Sequence, residues 1–135
     1  MNQEVIALQI KLEEEIASLD EQDKKDFLEL EGIEEPALNK IIKKGYEILG
    51  LDTFFTAGPN ELRAWTLKRG SLAPQAAGRI HTDFERGFIK AEIISFEDYI
   101  SFGGEAGSKE NGKLRLEGKD YIFKDGDIAH FKFNV

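Results

Sequence analysis

The sequence predicts an α+β fold, a roll of the β-grasp (ubiquitin-like) kind preceded by an N-terminal helical segment. Up to Gly50, apolar residues recur at spacings of three and four, as they do on one face of a helix. From Leu51 onward, short β-rich runs alternate with turns. Their order is two strands, a helix, a strand and closing strands. In such a roll the last strand commonly pairs beside the first, as a central parallel pair, which suits the apolar closing run 128–133.

Three helices are predicted before Gly50. The first has apolar residues at helical spacing, namely Val5, Leu8, Leu12, Ile16 and Leu19. Residues 5–10 also alternate, so a short strand remains a second interpretation there. Asp20 can cap a second helix that ends at Gly32. Pro36 opens a third helix, because its missing N–H is tolerated in a first turn.

Strands and turns are predicted over most of the remaining chain. Runs 53–56 and 62–67 flank the turn sequence AGPN and predict a hairpin. Pro74 opens a short helix over 74–81, a strand follows over 88–96, and Ser95 with Asp98 can cap one further helical turn. Residues 103–113 contain a single apolar residue, Ala106, and we expect a mobile loop. The closing strands are predicted over 114–116, 121–123 and 128–135.

Composition argues against several classes of protein. No stretch approaches the ~20 apolar residues of a membrane helix, and no secretory signal is visible, so we expect no membrane partner. Cysteine is absent, which excludes disulfides and thiolate metal sites. The two histidines, His81 and His130, lie far apart and outside metal-binding spacings such as HExxH, so we expect no metal site.

The net charge of −8 is unevenly distributed along the chain. Residues 1–50 carry 13 acidic and 6 basic side chains, whereas residues 51–135 carry 13 acidic and 12 basic ones. Between residues 63 and 90, six arginines and lysines accompany only two acidic residues. The acidity therefore belongs to the N-terminal segment, and the rest of the chain has a local basic excess, which is a feature of surfaces that contact polyanions.

Two long motifs carry a resemblance to a known family. APQAAGRIHTDFERGFI (73–89) and EGKDYIFKDGD (117–127) closely resemble the C-terminal TGS domain of the YchF family of Obg-related NTPases, and the likeness extends from about Leu51 to Val135. EEEIASL and GYEILGL, within residues 4–50, resemble the stretch before that domain. The resemblance implies that residues 1–50 are the helical end of the family's nucleotide-binding domain and that residues 51–135 are a TGS domain with a β-grasp fold.

The resemblance also implies a cytoplasmic, translation-associated parent protein that binds ATP or GTP with Mg²⁺. This chain lacks the phosphate-binding GxxxxGK[ST] loop, so we expect no catalytic residue, no cofactor and no enzymatic activity in the chain itself. Where the family has a Ser-Ala-Lys-like base-contacting motif, this chain reads Gln9-Ile10-Lys11, and only Lys11 matches. We therefore expect an expressed fragment or a split gene product, in which residues 5–10 lack their partner strands and become helical or disordered.

A TGS module is usually regarded as an element that contacts RNA or the ribosome. The candidate RNA- or ribosome-binding residues are Arg63, Lys68, Arg69, Arg79, His81, Arg86 and Lys90. A purely structural interpretation of residues 76–88 stays open, with Ile80, Phe84 and Phe88 in the core beside a solvated charged turn. For His81 we favour a structural hydrogen bond at the junction between helix and strand.

Other side chains have simpler structural explanations. Trp65 and either Phe54 or Phe55 would stack on unpaired bases if exposed, although strand alternation favours core packing. KDGD (124–127) predicts a tight turn with Gly126 at a positive φ, because the ligand spacing of a calcium loop is missing.

Two functions remain from the sequence. The first is a non-catalytic module of a YchF-like protein that binds the ribosome or RNA in translation. The alternative is a protein-interaction module that regulates the NTPase domain without contacting RNA. In either case the NTPase domain of the parent is an expected partner of the acidic helices. Their apolar sides can also drive self-association of the fragment.

Overall fold

The computed structural model describes residues 3–134 and divides the chain into two compact units, one ending at Leu49 and the other beginning at Gly50. Val135, the last residue of the predicted closing strand, lies outside the described residues. Among residues 3–134, no helix has the length and apolar character needed to cross a membrane.

The first unit is built from helices. In chain order they are α1 (Ile10–Ser18), α2 (Glu21–Leu30) and α3 (Ala37–Ile48). Asp20 caps α2 as predicted, because its carboxylate accepts a hydrogen bond of 2.9 Å from the backbone N–H of Asp23. Gly32 and Gly50 follow α2 and α3 with φ of 65° and 63°, the left-handed conformation that ends many helices.

The prediction of a helix from Val5 is wrong for its first part. Residues 3–9 form neither helix nor strand, so the alternative strand over 5–10 is also absent from the described chain. Val5 and Ile6 are β-branched, which lowers helix propensity, and Val5 is 87% exposed. No burial of an apolar face compensates for that low propensity.

The second unit is a mixed α+β structure. Its strands are β1 (Leu51–Ala57), β2 (Leu62–Lys68), β3 (Phe88–Ile94), β4 (Arg115–Glu117) and β5 (Ile128–Phe133). Its helices are α4 (Ala73–Ile80), α5 (Thr82–Arg86), α6 (Phe96–Ser101) and α7 (Glu105–Glu110). The sheet order is β2-β1-β5-β3-β4, with β1 parallel to β5 and the other pairs antiparallel. The predicted hairpin and the predicted central pairing of the first and last strands are confirmed.

One face of the sheet packs against α4 and holds the core. Phe54 is fully buried, and its ring centroid lies 5.2 Å from that of Phe123 and 6.0 Å from that of Phe131. α4 contributes three small residues with no exposed surface, namely Ala73, Ala76 and Ala77. Small side chains let a helix approach a sheet closely, so this short helix can cover a face rich in phenylalanine.

The opposite face of the sheet is covered only in part. Phe96, at the start of α6, lies with its ring centroid 6.2 Å from that of Phe55 in β1. Ile94 and Ile128 are buried on this side. Strand alternation places Lys90, Lys132 and their neighbours on the same face, where they remain more accessible.

The prediction of a mobile loop over residues 103–113 is wrong, because α7 lies within it. Ser108 is fully buried, and its hydroxyl donates a hydrogen bond of 2.8 Å to the carbonyl of Gly104. A Cβ added to Gly107 would lie 1.8 Å from the carbonyl oxygen of Phe102. Glycine therefore permits close packing at this position, and composition alone cannot distinguish that use from flexibility.

Two further segments differ from prediction. The solvated turn expected around residues 83–86 is the short helix α5. The strand predicted over 121–123 is absent, and Ile122 makes only an isolated bridge to Leu72. The backbone on either side of Ile122 bonds to the residues that open α4, through Ala73 N to Tyr121 O at 2.9 Å and Phe123 N to Ser71 O at 3.0 Å.

Candidate functional site

The seven predicted binding residues are all exposed, but they do not form one patch. Four of them lie along or beside β2 and are called the β2 cation group: Arg63, Lys68, Arg69 and Arg79. Arg86 and Lys90 lie at the end of α5 and in β3. The sheet order places β1 and β5 between β2 and β3. β2 and β3 are therefore three strand spacings, or about 14 Å, apart.

Two arginines of the β2 cation group are held by a single nitrogen each. The Nε of Arg69 donates to the carboxylate of Asp52 at 3.2 Å, and that carboxylate is buried. The Nε of Arg79 donates to the carbonyl of Thr66 at 2.8 Å, which joins the end of α4 to β2. Within residues 3–134 their terminal nitrogens make no hydrogen bond, so two guanidinium groups are oriented with donors available for a bidentate acceptor such as phosphate.

Arg63 and Lys68 extend this group to both faces of β2. Arg63 has an ion pair with Glu61 at 3.2 Å and lies over the ring of Trp65 at 5.1 Å. An exposed ion pair contributes about 0–1 kcal/mol, so a phosphate can replace Glu61 at little cost. Lys68 makes no ion pair with any residue that the structure describes, and alternation places it on the other face.

His81 has a structural contact at the junction of α4 and α5. Its Nδ1 accepts a hydrogen bond of 3.1 Å from the backbone N–H of Asp83 and so caps α5. Phe84 in α5 stacks on Phe133 at a centroid distance of 3.8 Å, and Phe88 is buried. The apolar residues of this block therefore pack as the structural interpretation expected. A binding role for the exposed His81 stays a prediction.

Arg86 and Lys90 lie outside the β2 cation group, and Lys90 has a second lysine, Lys132, as its neighbour in the sheet. Lys90 lies directly opposite Lys132 in the β3–β5 pair, beside an irregularity between Phe88 and Lys90. Like charges opposite one another are unfavourable unless an anion or a neighbouring carboxylate offsets them. Lys132 has Glu92 at 3.8 Å, whereas Lys90 and Arg86 have no ion pair in the described part of the chain.

The structure does not support the aromatic residues as a base-stacking platform. Phe54 is fully buried, which confirms the core packing that strand alternation favoured. Trp65 packs against the core, and its indole N–H donates to the Thr56 hydroxyl at 2.9 Å. Phe55 lies against Phe96.

The carboxylates of the KDGD turn are structural. Gly126 has a φ of 87°, which confirms the predicted turn. The buried carboxylate of Asp127 accepts hydrogen bonds from the hydroxyl of Tyr121 at 2.6 Å and the backbone N–H of Lys124 at 3.0 Å. Burial and the bond to Asp127 raise the pKa of Tyr121 to about 12. Asp125 accepts from the backbone N–H of Thr53 at 2.7 Å, which fixes the turn to β1.

The spacing of residues in the sequence did not indicate one cluster of polar side chains that the structure brings together. Glu92, Glu105 and His130 come from β3, α7 and β5, yet one ligand atom from each lies within 4.8 Å of the others. The residues are 13 and 25 positions apart in the sequence, and only the strand pairing and the position of α7 bring them together.

Comparisons with known proteins agree with this fold. The family profile YchF-GTPase_C, described as "Protein of unknown function (DUF933)", matches residues 51–134. "Ribosome-binding ATPase YchF" of Haemophilus influenzae is 58% identical over 131 residues, which are 97% of this chain and 36% of that protein. The protein of the same name in Bacillus subtilis is 56% identical over 134 residues, 99% of this chain and 37% of the relative.

A solved structure from the same family also matches this chain. The Schizosaccharomyces pombe YchF GTPase matches with a TM-score of 0.78 and 38% identity, over 91% of this chain and 32% of that one. The chain thus spans little more than a third of the length of the curated relatives above. The chain belongs to the YchF family and contains that family's C-terminal domain.

Proposed function

We propose that the chain is a ribosome-contacting, non-catalytic part of a YchF-type protein and that the β2 cation group binds phosphates of ribosomal RNA. The observation that carries this proposal is the anchoring of Arg69 and Arg79 through Nε alone. Relatives over 97–99% of this chain are named ribosome-binding ATPases, which supports the ribosome as the partner.

The geometry suits a phosphate backbone better than an individual base. Arg69 and Arg79 present planar guanidinium groups whose orientation is set by protein contacts, so less side-chain freedom is lost on binding. Arg63 and Lys68 add positive charge on the two faces of the same strand. Each phosphate contact releases condensed counterions, which gives affinity without base specificity and makes binding weaken with salt.

Nucleotide hydrolysis belongs, in this proposal, to the part of the longer relatives that this chain does not span. The parent protein would bind ATP or GTP with Mg²⁺, and residues 1–50 would be the end of its nucleotide-binding domain. A cytoplasmic location follows from the proposed ribosome partner. The regulatory alternative, without RNA contact, is not favoured because the relatives are named for ribosome binding.

The first unit has a separate proposed role in contact with the NTPase domain. Several apolar side chains of α3 are exposed, among them Leu38 at 57% and Ile48 at 73%. Exposed apolar side chains at helical spacing are typical of a docking surface. In this chain by itself, the same surface would favour self-association.

Co-sedimentation with purified ribosomes tests the proposed function. The variant Arg63→Gln/Lys68→Gln/Arg79→Gln removes three charges and keeps Arg69, whose removal would leave the buried Asp52 unpaired. Lys109→Gln/Lys119→Gln/Lys124→Gln removes three exposed charges elsewhere in the same unit and serves as the matched control.

We expect the first variant to bind roughly tenfold or more weakly than wild type at moderate salt, because each lost phosphate contact lowers affinity. The control should bind within about twofold of wild type. Equal binding by the two triple variants would contradict the assignment of this surface. Absence of ribosome binding by the wild-type chain would contradict the proposed function itself.

A further inference from the structure

The cluster of Glu92, Glu105 and His130 has the features of a metal site. Glu92 and His130 are directly opposite in the β3–β5 register, and the His130 Nδ1 lies 3.5 Å from Glu92 Oε2. Glu105 reaches the same place from the first residue of α7. Three elements that are distant in sequence thus direct two carboxylates and one imidazole to a single point on the sheet.

We propose that these three side chains bind one divalent first-row transition ion, with Zn²⁺ the best match to the donor set. Zinc binds imidazole nitrogen and carboxylate oxygen at roughly 2.0–2.2 Å, so neighbouring donors of a tetrahedral site lie about 3.4 Å apart. The Glu92–His130 distance of 3.5 Å already fits that spacing. Glu105 is exposed, and rotation of its side chain can bring its carboxylate to the ion. Water would occupy the fourth coordination position of the zinc.

The surroundings favour an ion at this position. The cluster borders a cavity of about 10 Å³ whose other walls are mainly apolar, formed by Ala57, Ile94, Leu114, Ile128 and Ala129. Two carboxylates beside an apolar wall repel each other, and a divalent cation offsets that repulsion. The imidazole ligand favours zinc over Mg²⁺ or Ca²⁺, which prefer six or more oxygen donors.

One local group competes with the ion. Lys132 Nζ lies 3.8 Å from the same Oε2 of Glu92 that faces His130. The Lys132 side chain is 41% exposed and can turn into solvent when the ion binds. Removing its charge should therefore strengthen metal binding at this position.

Binding of the ion would join α7 to the centre of the sheet. Glu105 lies in the short helix, whereas Glu92 and His130 lie in paired strands. A ligand that binds only the folded state stabilises it by mass action. Zinc should therefore raise the unfolding temperature, and the gain should disappear when a ligand is removed.

Isothermal titration of the untagged chain with ZnCl₂, together with the visible absorption of its CoCl₂ complex, tests the proposal. Wild type should bind one ion per chain, and His130→Ala or Glu105→Gln should bind at least about tenfold more weakly. Lys132→Ala should bind several-fold more tightly. The cobalt complex should show the intense bands of a four-coordinate site, and these bands should be lost in His130→Ala.

His81→Ala is the matched control, because His81 also has its Nδ1 3.5 Å from a carboxylate oxygen and its side chain is similarly exposed, at 58% against 60% for His130. This variant should bind zinc as wild type does. Circular dichroism of each variant establishes that the fold is retained. Binding that is equal in wild type and His130→Ala, binding lost equally in His81→Ala, or several weak ions per chain would each overturn the proposal.

Discussion

Replacing Tyr121 by phenylalanine tests the buried hydrogen bond that supports the KDGD turn. The change removes one oxygen atom and with it the 2.6 Å bond that the Tyr121 hydroxyl donates to Asp127 and the 3.3 Å bond that it accepts from Arg115. The ring can keep its packing against Phe123, whose centroid lies 5.5 Å away. Asp127 is 2% exposed and would retain the backbone N–H of Lys124 as a donor.

The expected loss follows from the charge of the acceptor. A hydrogen bond to an ionised group contributes about 1.5–3 kcal/mol, and a buried carboxylate that loses one donor cannot replace it freely with water. We therefore expect Tyr121→Phe to lower the free energy of unfolding by about 1.5–3 kcal/mol at neutral pH.

The same bond has a signature at alkaline pH. Burial and the bond to Asp127 raise the pKa of Tyr121 from its ordinary value of 10.0 to about 12 in the folded state. Between these values the unfolded chain loses the tyrosine proton while the folded chain keeps it, so rising pH favours unfolding. The stability advantage of wild type over Tyr121→Phe should be constant between neutral pH and about pH 10 and should decline between about pH 10 and 12.

Urea unfolding followed by tryptophan fluorescence provides the assay, because the only tryptophan, Trp65, lies in the second unit with Tyr121. Tyr99→Phe is the control, since the Tyr99 hydroxyl makes no hydrogen bond within residues 3–134. A loss below about 0.5 kcal/mol, or a loss equal to that of the control, would refute the reasoning.

Three further changes have defined outcomes. Phe54→Ala should lower the free energy of unfolding by about 3–5 kcal/mol in the same urea assay, because the ring is fully buried; a loss near 1 kcal/mol would contradict its place in the core. Gly107→Ala should cost about 1–3 kcal/mol because its Cβ would meet a backbone carbonyl at 1.8 Å, whereas Gly118→Ala, with open space around it, should be nearly neutral. Leu38→Glu/Ile48→Lys should reduce self-association in sedimentation velocity; a wild-type chain that is monomeric at high concentration would contradict the predicted self-association through α3.

Local signals in the sequence predicted much of the fold. The cap at Asp20, the helix start after Pro36 and the glycines that end α2 and α3 each depend on a few neighbouring residues, and the structure places them as expected. The parallel pairing of β1 with β5 followed from the order of elements together with the apolar character of the last strand.

The sequence could not predict features that depend on contacts between distant segments. α7 was expected as a loop because polar and glycine-rich composition gives no sign of the buried Ser108. The helix predicted from Val5 does not form over residues 5–9, because the apolar side chains of this segment remain exposed and do not form a packed face. For the candidate site, residue type predicted which cations would be exposed, but only the sheet order separates Arg86 and Lys90 from the β2 cation group.

The central claim, that the β2 cation group binds RNA phosphates, is tested most directly by the salt dependence of ribosome binding. The association constant would be measured from roughly 50 to 200 mM salt for wild type, Arg79→Gln and Lys124→Gln. We predict a linear fall of log K with log salt concentration, a slope smaller by about one unit for Arg79→Gln, and the wild-type slope for Lys124→Gln. Equal slopes for all three proteins, or binding that does not change with salt, would contradict the claim.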